Sequence, residues 1–216
     1  MYGVPHIIYF LIALFICVHG AWGFRNKSPL TRTIIFFTVF ILSSDCLGIF
    51  LAFVKLVTYK LLFAKLMLIT LFLIHIVREE IVDKRFLIAV NISVVLLLLF
   101  TAFVMMLPIK PGEWPAYPYL VCQVTWIIYT LMAMLLQLQK DDPSPLWRRA
   151  YFWFMGGSFC FYCFSFLLFP LRSSSVISLV NSQLHNTLII YACIFLYSLI
   201  AAGLLLDRTQ SSSTYV

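Results

Sequence analysis

Asp45 is the residue whose type and position most clearly predict chemistry, because it is an acid inside a strongly apolar stretch. It stands in the run FILSSDCLG beside two serines. An Asp at the centre of a membrane helix costs on the order of 2.5–3.5 kcal/mol on insertion scales, so it usually has a partner or a function. Lys65, in the next apolar stretch, is the candidate partner. Two interpretations stay open: a structural Asp45–Lys65 ion pair, or a group that faces a ligand or titrates.

A second group of polar residues opens the last apolar stretch, in the run NSQLHNT. Asn181 and His185 are one helical turn apart and share a face. If the last helices surround one space, they form an outward-facing polar pocket above Asp45; the alternative is a set of hydrogen bonds between helices, each worth about 0.6 kcal/mol. The predicted ligand-binding residues are Asp45, Gln123, Tyr162, Asn181, Gln183, His185 and Asn186.

Other chemistry finds little support in the residue pattern. The four histidines are dispersed, at positions 6, 19, 75 and 185, so we expect no metal site. Cys160 and Cys163 form a CxxC inside an apolar stretch, which favours packing over redox or metal chemistry. The middle of the last stretch has no lysine that could hold retinal. We therefore expect no cofactor and assign no catalytic residue.

The composition indicates an integral membrane protein. Hydrophobic residues make up 63% of the 216 residues, charged residues make up 11%, and the mean hydropathy is +1.01. A soluble domain carries about 45–50% apolar and about 25% charged residues. A soluble enzyme, a disordered chain and a nucleic-acid binder are excluded on this ground. The net charge of +7 is then best explained by loops that face an anionic membrane leaflet.

Seven apolar stretches are long enough to cross a bilayer, for which a helix needs about 20 residues. They predict an all-α, polytopic membrane protein with a seven-transmembrane-helix bundle at residues 1–207 and a short disordered cytoplasmic tail at 208–216. The predicted spans are Pro5–Phe24, Thr33–Val54, Leu61–Val77, Phe86–Leu107, Leu120–Leu138, Ala150–Leu171 and Leu179–Leu206.

The distribution of basic residues predicts the orientation. Alternate connections and the tail hold ten Lys or Arg residues, at 25, 27, 32, 78, 84, 85, 140, 148, 149 and 208, and the opposite set holds four, at 55, 60, 110 and 172. Cytoplasmic loops carry the excess of basic residues. We therefore expect the N-terminus outside and the C-terminus inside, in what we predict to be a bacterial cytoplasmic (inner) membrane.

Two stretches of the last third resemble a known class of protein. PLWRRAYFWFMGGSFCFY and the following His185-Asn186 resemble small uncharacterised seven-helix bacterial membrane proteins, which are similar to the sensor region of seven-helix receptor kinases. The matching residues of the first stretch are Trp147, Phe152, Trp153, Gly156, Gly157 and Tyr162. This resemblance implies a membrane sensor or receptor-like protein that signals through a separate partner.

A second, weaker resemblance is to the YhhN-type lysoplasmalogenases. It rests on KSPLT at Lys27–Thr31 and on Ser44-Asp45. Those enzymes have one more helix and a second, later acidic residue, whereas the corresponding stretch here, GSFCFYCFS, has no acid. Acid–base hydrolysis would lack that partner. Whether the protein is an enzyme stays open at this point.

The leading hypothesis is a membrane sensor that binds a small molecule or lipid in an outward-facing polar pocket. Its expected partners are the lipid bilayer, that ligand, and a cytoplasmic or membrane signalling protein, with no nucleic acid. The alternatives are a membrane-embedded lipid hydrolase and then a small-solute transporter.

Overall fold

The computed structural model describes residues 4–22, 24, 27–53, 59–80, 84–106, 116–139, 145–173 and 179–206. Within these ranges the side chains of 48–53, 59–64, 79–80, 105, 116–118, 169–173 and 179–183 are not described. The described chain is all-α, with seven long helices and a 3₁₀ turn at Leu146–Arg148. The helices are α1 (Val4–Ala21), α2 (Pro29–Phe53), α3 (Tyr59–Glu80), α4 (Lys84–Met106), α5 (Ala116–Leu138), α6 (Ala150–Ser173) and α7 (Leu179–Leu206).

Six helices, all but α3, are long and apolar enough to cross a membrane within the described residues. The fully described part of α3 runs only from Lys65 to Arg78, which is too short to count with them. Lipid offers no hydrogen bonds to the backbone, so a continuous apolar run must satisfy its own N–H and C=O groups as a helix. The structure confirms the all-α class, the seven helices and the membrane character. The tail at 208–216 lies outside the described residues.

The helices pack in a ring that α4 joins from outside. Around the ring, α1 packs on α2, α2 on α3, α3 on α5, α5 on α6, α6 on α7, and α7 returns to α1. Helix α4 packs on α3 and α5, while α2 also reaches across to α6. The crossing is made by Phe37 and Phe154, whose rings meet edge-on with centroids 5.4 Å apart. The core therefore fills the six-helix ring and extends to α4, where Val90, Val94 and Leu97 are buried.

Helix α2 begins at a side-chain cap. The Ser28 hydroxyl accepts a hydrogen bond from the backbone N–H of Thr31 at 3.1 Å, and Pro29 follows as the first helical residue. Serine is a favoured capping residue, and proline suits the first helical position because its missing N–H has no partner there anyway. These contacts give most of KSPLT a structural role as the start of α2.

Helices α6 and α7 approach each other closely at Gly203. A Cβ atom added there would lie 2.8 Å from the Cβ of Trp153 and 3.2 Å from backbone atoms of Ala150. The start of α6 is held by Trp153, whose indole N–H donates to the Trp147 carbonyl at 2.7 Å, and by buried Arg149, which donates to Gln137 at 2.9 Å. Only glycine fits at this crossing without a shift of the helices.

Candidate functional site

Asp45 forms a salt bridge with Lys65, so the ion pair expected from the sequence is present. The two carboxylate oxygens have different partners: Lys65 donates to Oδ1, and the Tyr9 hydroxyl donates to Oδ2 at 2.5 Å. The side chains of Lys65 and Asp45 keep 24% and 29% of their surface exposed. The group therefore joins three helices in a polar cluster that still has one open side.

The cluster lies in the half of the bundle that contains the N-terminal end of α1. Tyr9 is in the first half of α1, Asp45 in the second half of α2, and Lys65 in the first half of α3. Such contacts arise when successive helices run in alternating directions. With the orientation expected from the basic residues, this half is the outer one.

A cavity of about 250 Å³ opens beside the cluster. Its walls are mostly apolar and come from α1, α2, α3, α5, α6 and α7. The aromatic wall residues are Tyr9, Phe37, Tyr119, Trp126, Phe161, Tyr162 and Tyr197, and the charged ones are Asp45 and Lys65. A concave apolar site with a few placed polar groups is the usual form of a small-molecule site, and this volume is just below the range of about 300–1,000 Å³ for drug-sized ligands.

Trp126 and Tyr162 form one wall of the cavity. Their ring centroids are 4.8 Å apart, and both side chains are buried, with 2% and 5% exposure. The Trp126 indole N–H donates to the Thr70 hydroxyl at 2.9 Å, and Thr70 in turn donates to the Leu66 carbonyl at 2.8 Å. Thr70 thus fixes the tryptophan ring from the neighbouring helix.

We expect Thr70→Val to destabilise the protein by about 1–3 kcal/mol, because the buried Trp126 N–H would lose its acceptor. Thr38→Val is the matched control. Thr38 is equally buried, at 1% exposure, and its hydroxyl bonds to the Ile34 carbonyl one turn back. Within the described ranges its hydroxyl accepts no side-chain bond, so its replacement should be close to neutral. Equilibrium unfolding in mixed micelles gives the two free energies; equal losses would contradict the role given to Thr70.

Gln123 is fully buried but lies behind the cavity wall. Its amide donates to the Ser165 hydroxyl at 2.5 Å, so it links α5 to α6. Its carbonyl oxygen is buried without a hydrogen-bond partner among the described residues. Gln123 does not line the cavity. The structure therefore places it between two helices rather than in the predicted pocket.

The polar start of α7 does not line the cavity where its side chains are described. His185 is buried and Asn186 is exposed, and neither belongs to the cavity wall. His185, Ile189 and Cys193 follow the helical period and share the inward face of α7. The cavity lies further along this face than His185, beside Ile189 and Cys193. Asn181 and Gln183 are in α7, but their side chains lie outside the described residues. Of the predicted ligand-binding residues, Asp45 and Tyr162 line the cavity, and so does Lys65, the predicted ion-pair partner of Asp45.

Tyr9 and Tyr197 are two polar residues of the site that were not predicted from the sequence. Their rings meet edge-on at 5.3 Å, and both side chains are buried. A usable signal was present in α1, where the buried residues Tyr9, Ala13, Ile16 and Gly20 follow the helical period. Small residues at that spacing mark a face on which membrane helices approach closely, and Tyr9 is the polar member of that face.

Metal and redox chemistry have no obvious centre in the described part of the chain. There, no three His, Cys, Asp or Glu side chains come together as metal ligands. All six cysteines are free thiols. Cys160 is exposed and Cys163 is half-buried, so the CxxC spacing has not produced a disulfide.

No family model, no curated protein and no solved structure matches this chain. The resemblances to receptor-kinase sensor regions and to lysoplasmalogenases therefore stay predictions. The functional argument rests on the cavity and its side chains.

Proposed function

We propose that this protein is a membrane sensor that binds a small, mainly apolar ligand in the cavity beside Asp45. The observation that carries the proposal is a 250 Å³ apolar cavity with a charged pair in its wall. A pair that served helix association alone would need no open space next to it. Binding requires only a shaped apolar space and a few polar groups that orient the ligand.

The environment of Asp45 favours binding over hydrolysis. Each oxygen of Asp45 already accepts one hydrogen bond, from Lys65 or from Tyr9, so a water to be activated would share the carboxylate with two protein donors. Asp45 is also the one carboxylate among the described residues that line the cavity, so an acid–base pair of carboxylates has no second member there.

The proposal includes seven membrane spans, an outer N-terminus and a bacterial inner-membrane location. In this orientation the cavity lies in the outer half of the bundle. The basic connections at the other end, with Arg148 stacked 4.8 Å over the exposed Trp147 ring, face the cytoplasm and the anionic leaflet. A separate signalling partner would then read the ligand state at this inner face.

The orientation can be tested by labelling single cysteines introduced into a cysteine-free version of the chain. We expect Lys27→Cys, Lys84→Cys and Gln139→Cys to react with a membrane-impermeant maleimide only after the cells are opened. Lys110→Cys, in the opposite set of basic residues, is the matched control and should react on intact cells. Labelling of the first three on intact cells would reverse the orientation, since the prediction rests on the bias in basic residues.

Binding can be tested by filling the cavity. The protein is purified in nanodiscs, and the molecules that remain bound are extracted and counted by mass spectrometry. We expect the parent protein to retain about one small apolar molecule per chain. Ile189→Trp should remove it, because Ile189 lines the cavity. Ile128→Trp, the same change at a position 55% exposed on α5, should retain it. A bound molecule that survives Ile189→Trp, or none at all, contradicts the proposal.

The hydrolase alternative makes a different prediction. We expect no turnover of lysophospholipid, lysoplasmalogen or ceramide by the purified protein. Hydrolysis of any of these lipids, lost in Asp45→Ala while the thermal unfolding of that variant stays cooperative, would replace the sensor by an enzyme.

A further inference from the structure

The hydrogen bonds that the charged pair already makes restrict the ligand. Each oxygen of Asp45 accepts one bond from the protein, from Lys65 or from Tyr9, and keeps one lone pair. The ammonium group of Lys65 has three N–H donors, and Asp45 is its one acceptor among the described residues. Two N–H donors of Lys65 therefore have no partner among those residues, in the wall of an apolar cavity.

Tyr162 adds a further donor. Its side chain is 95% buried, since only 5% is exposed, and it lines the cavity. Its ring contacts Trp126 and Phe161. The hydroxyl has no hydrogen-bond partner among the described residues, although buried hydroxyls usually have one. The ring contacts thus place the side chain, and none of the described residues uses its O–H.

The net charge at the site restricts the ligand further. Asp45 and Lys65 together are neutral, and they lie in contact. A ligand anion would gain from the ammonium but would also stand beside a carboxylate, in surroundings where water screens little. A ligand cation would gain from the carboxylate but would stand beside the Lys65 ammonium. A neutral ligand has neither cost.

We propose that the cavity takes a neutral carbonyl compound, whose oxygen accepts hydrogen bonds from Lys65 and Tyr162 while its apolar body packs on the aromatic walls. The inference rests on the proposed binding function and names the chemical class of the ligand. Carbonyl oxygen fits because it carries two lone pairs and no proton, so both donors can be used at once.

Four naphthalenes of nearly equal size separate the chemical classes. Acetylnaphthalene has a neutral carbonyl, ethylnaphthalene has no acceptor, naphthylethylammonium is a cation, and naphthoate is an anion. Binding to the full chain in detergent is measured as the rise in the thermal midpoint with ligand concentration. We expect acetylnaphthalene to raise it by roughly 5–10 °C at 100 times its Kd. Ethylnaphthalene should bind at least about tenfold more weakly, because it leaves both donors unpaired.

Tyr162→Phe tests the hydroxyl without disturbing the packing. The change removes an O–H that has no partner in the described part of the protein, so the fold should tolerate it. We expect the Kd for acetylnaphthalene to rise about fivefold. Tyr191→Phe is the matched control, because Tyr191 is 55% exposed on α7. The Kd of this variant for acetylnaphthalene should equal that of the parent protein. An unchanged Kd in Tyr162→Phe would overturn the role of Tyr162.

The outcomes distinguish a wrong assignment of the ligand's chemical class from a failure of the proposed binding function. If naphthoate, naphthylethylammonium or ethylnaphthalene binds more tightly than acetylnaphthalene, the carbonyl assignment is wrong. If that binding is lost in Ile189→Trp, the cavity remains a binding site. If none of the four compounds raises the midpoint, and no bound molecule is sensitive to Ile189→Trp, both the assignment and the proposed function fail.

Discussion

Asp45→Asn is expected to lower the free energy of unfolding by about 3 kcal/mol. The substitution keeps the size of the side chain but leaves the Lys65 ammonium without its counter-charge inside the bundle. Removal of one partner of a buried pair costs about 3–5 kcal/mol, and we expect the lower end because the two side chains keep 24% and 29% exposure. Unfolding in mixed micelles, followed by circular dichroism, measures the loss.

Adding Lys65→Met to Asp45→Asn should recover at least half of that loss. An uncharged, well-packed pair is often as stable as the ion pair that it replaces, because neither group then pays for desolvation. Ser43→Ala on the same helix is the control and should be nearly neutral. Ser43 is exposed, and among the described residues its hydroxyl bonds only to the Val39 carbonyl. A double variant no more stable than Asp45→Asn alone would show that the pair contributes little.

Gly203→Leu is expected to cost about 3 kcal/mol or more, because even the first carbon of a new side chain has no room. That carbon would stand 2.8 Å from the Cβ of Trp153 and 3.2 Å from the backbone of Ala150. Backbone cannot rotate away as the end of a flexible side chain can, so α6 and α7 must separate. Smaller additions to a packed core cost about 1–3 kcal/mol. Gly203→Ala should therefore already lower the free energy of unfolding measurably.

Gly156 is the matched control for Gly203. It lies in α6, and an added Cβ would meet its nearest neighbour, the Met134 methyl group, at an ordinary 3.8 Å. Gly156→Ala should therefore be neutral or slightly stabilising, as alanine is the better helix former. Equal losses at the two glycines would point to a general effect of glycine replacement, and not to the close approach of α6 and α7.

The fold could be predicted from the sequence because its signal is local. A continuous apolar run must form a helix in lipid, whatever its neighbours are. The predicted seventh span, Leu179–Leu206, coincides with α7, and the others begin or end within a few residues of their helices. The pairing of Asp45 with Lys65 was also predictable, because a charge at membrane depth restricts its own partner strongly.

The rest of the cavity could not be predicted, because it depends on how the helices rotate and cross. Polar residues at the start of α7 were expected to face inward, but the cavity lies deeper, beside Ile189 and Cys193. The apolar and aromatic residues that form its walls look like any other core residues in a chain with this composition. Gln123 was singled out by its polarity, yet that polarity is used between α5 and α6.

The packing of α1 against α7 has a consequence for biogenesis. The ribosome releases α1, α2 and α3 first, so Tyr9, Asp45 and Lys65 can meet early in the bilayer. The wall formed by α7 arrives only after the 126 residues that separate the ends of these helices, at Glu80 and Leu206. At about 5–20 residues per second this delay is roughly 6–25 s. During this delay the groove beside the Asp45–Lys65 pair lacks its α7 wall, and lipid or a chaperone must cover it until α7 is released.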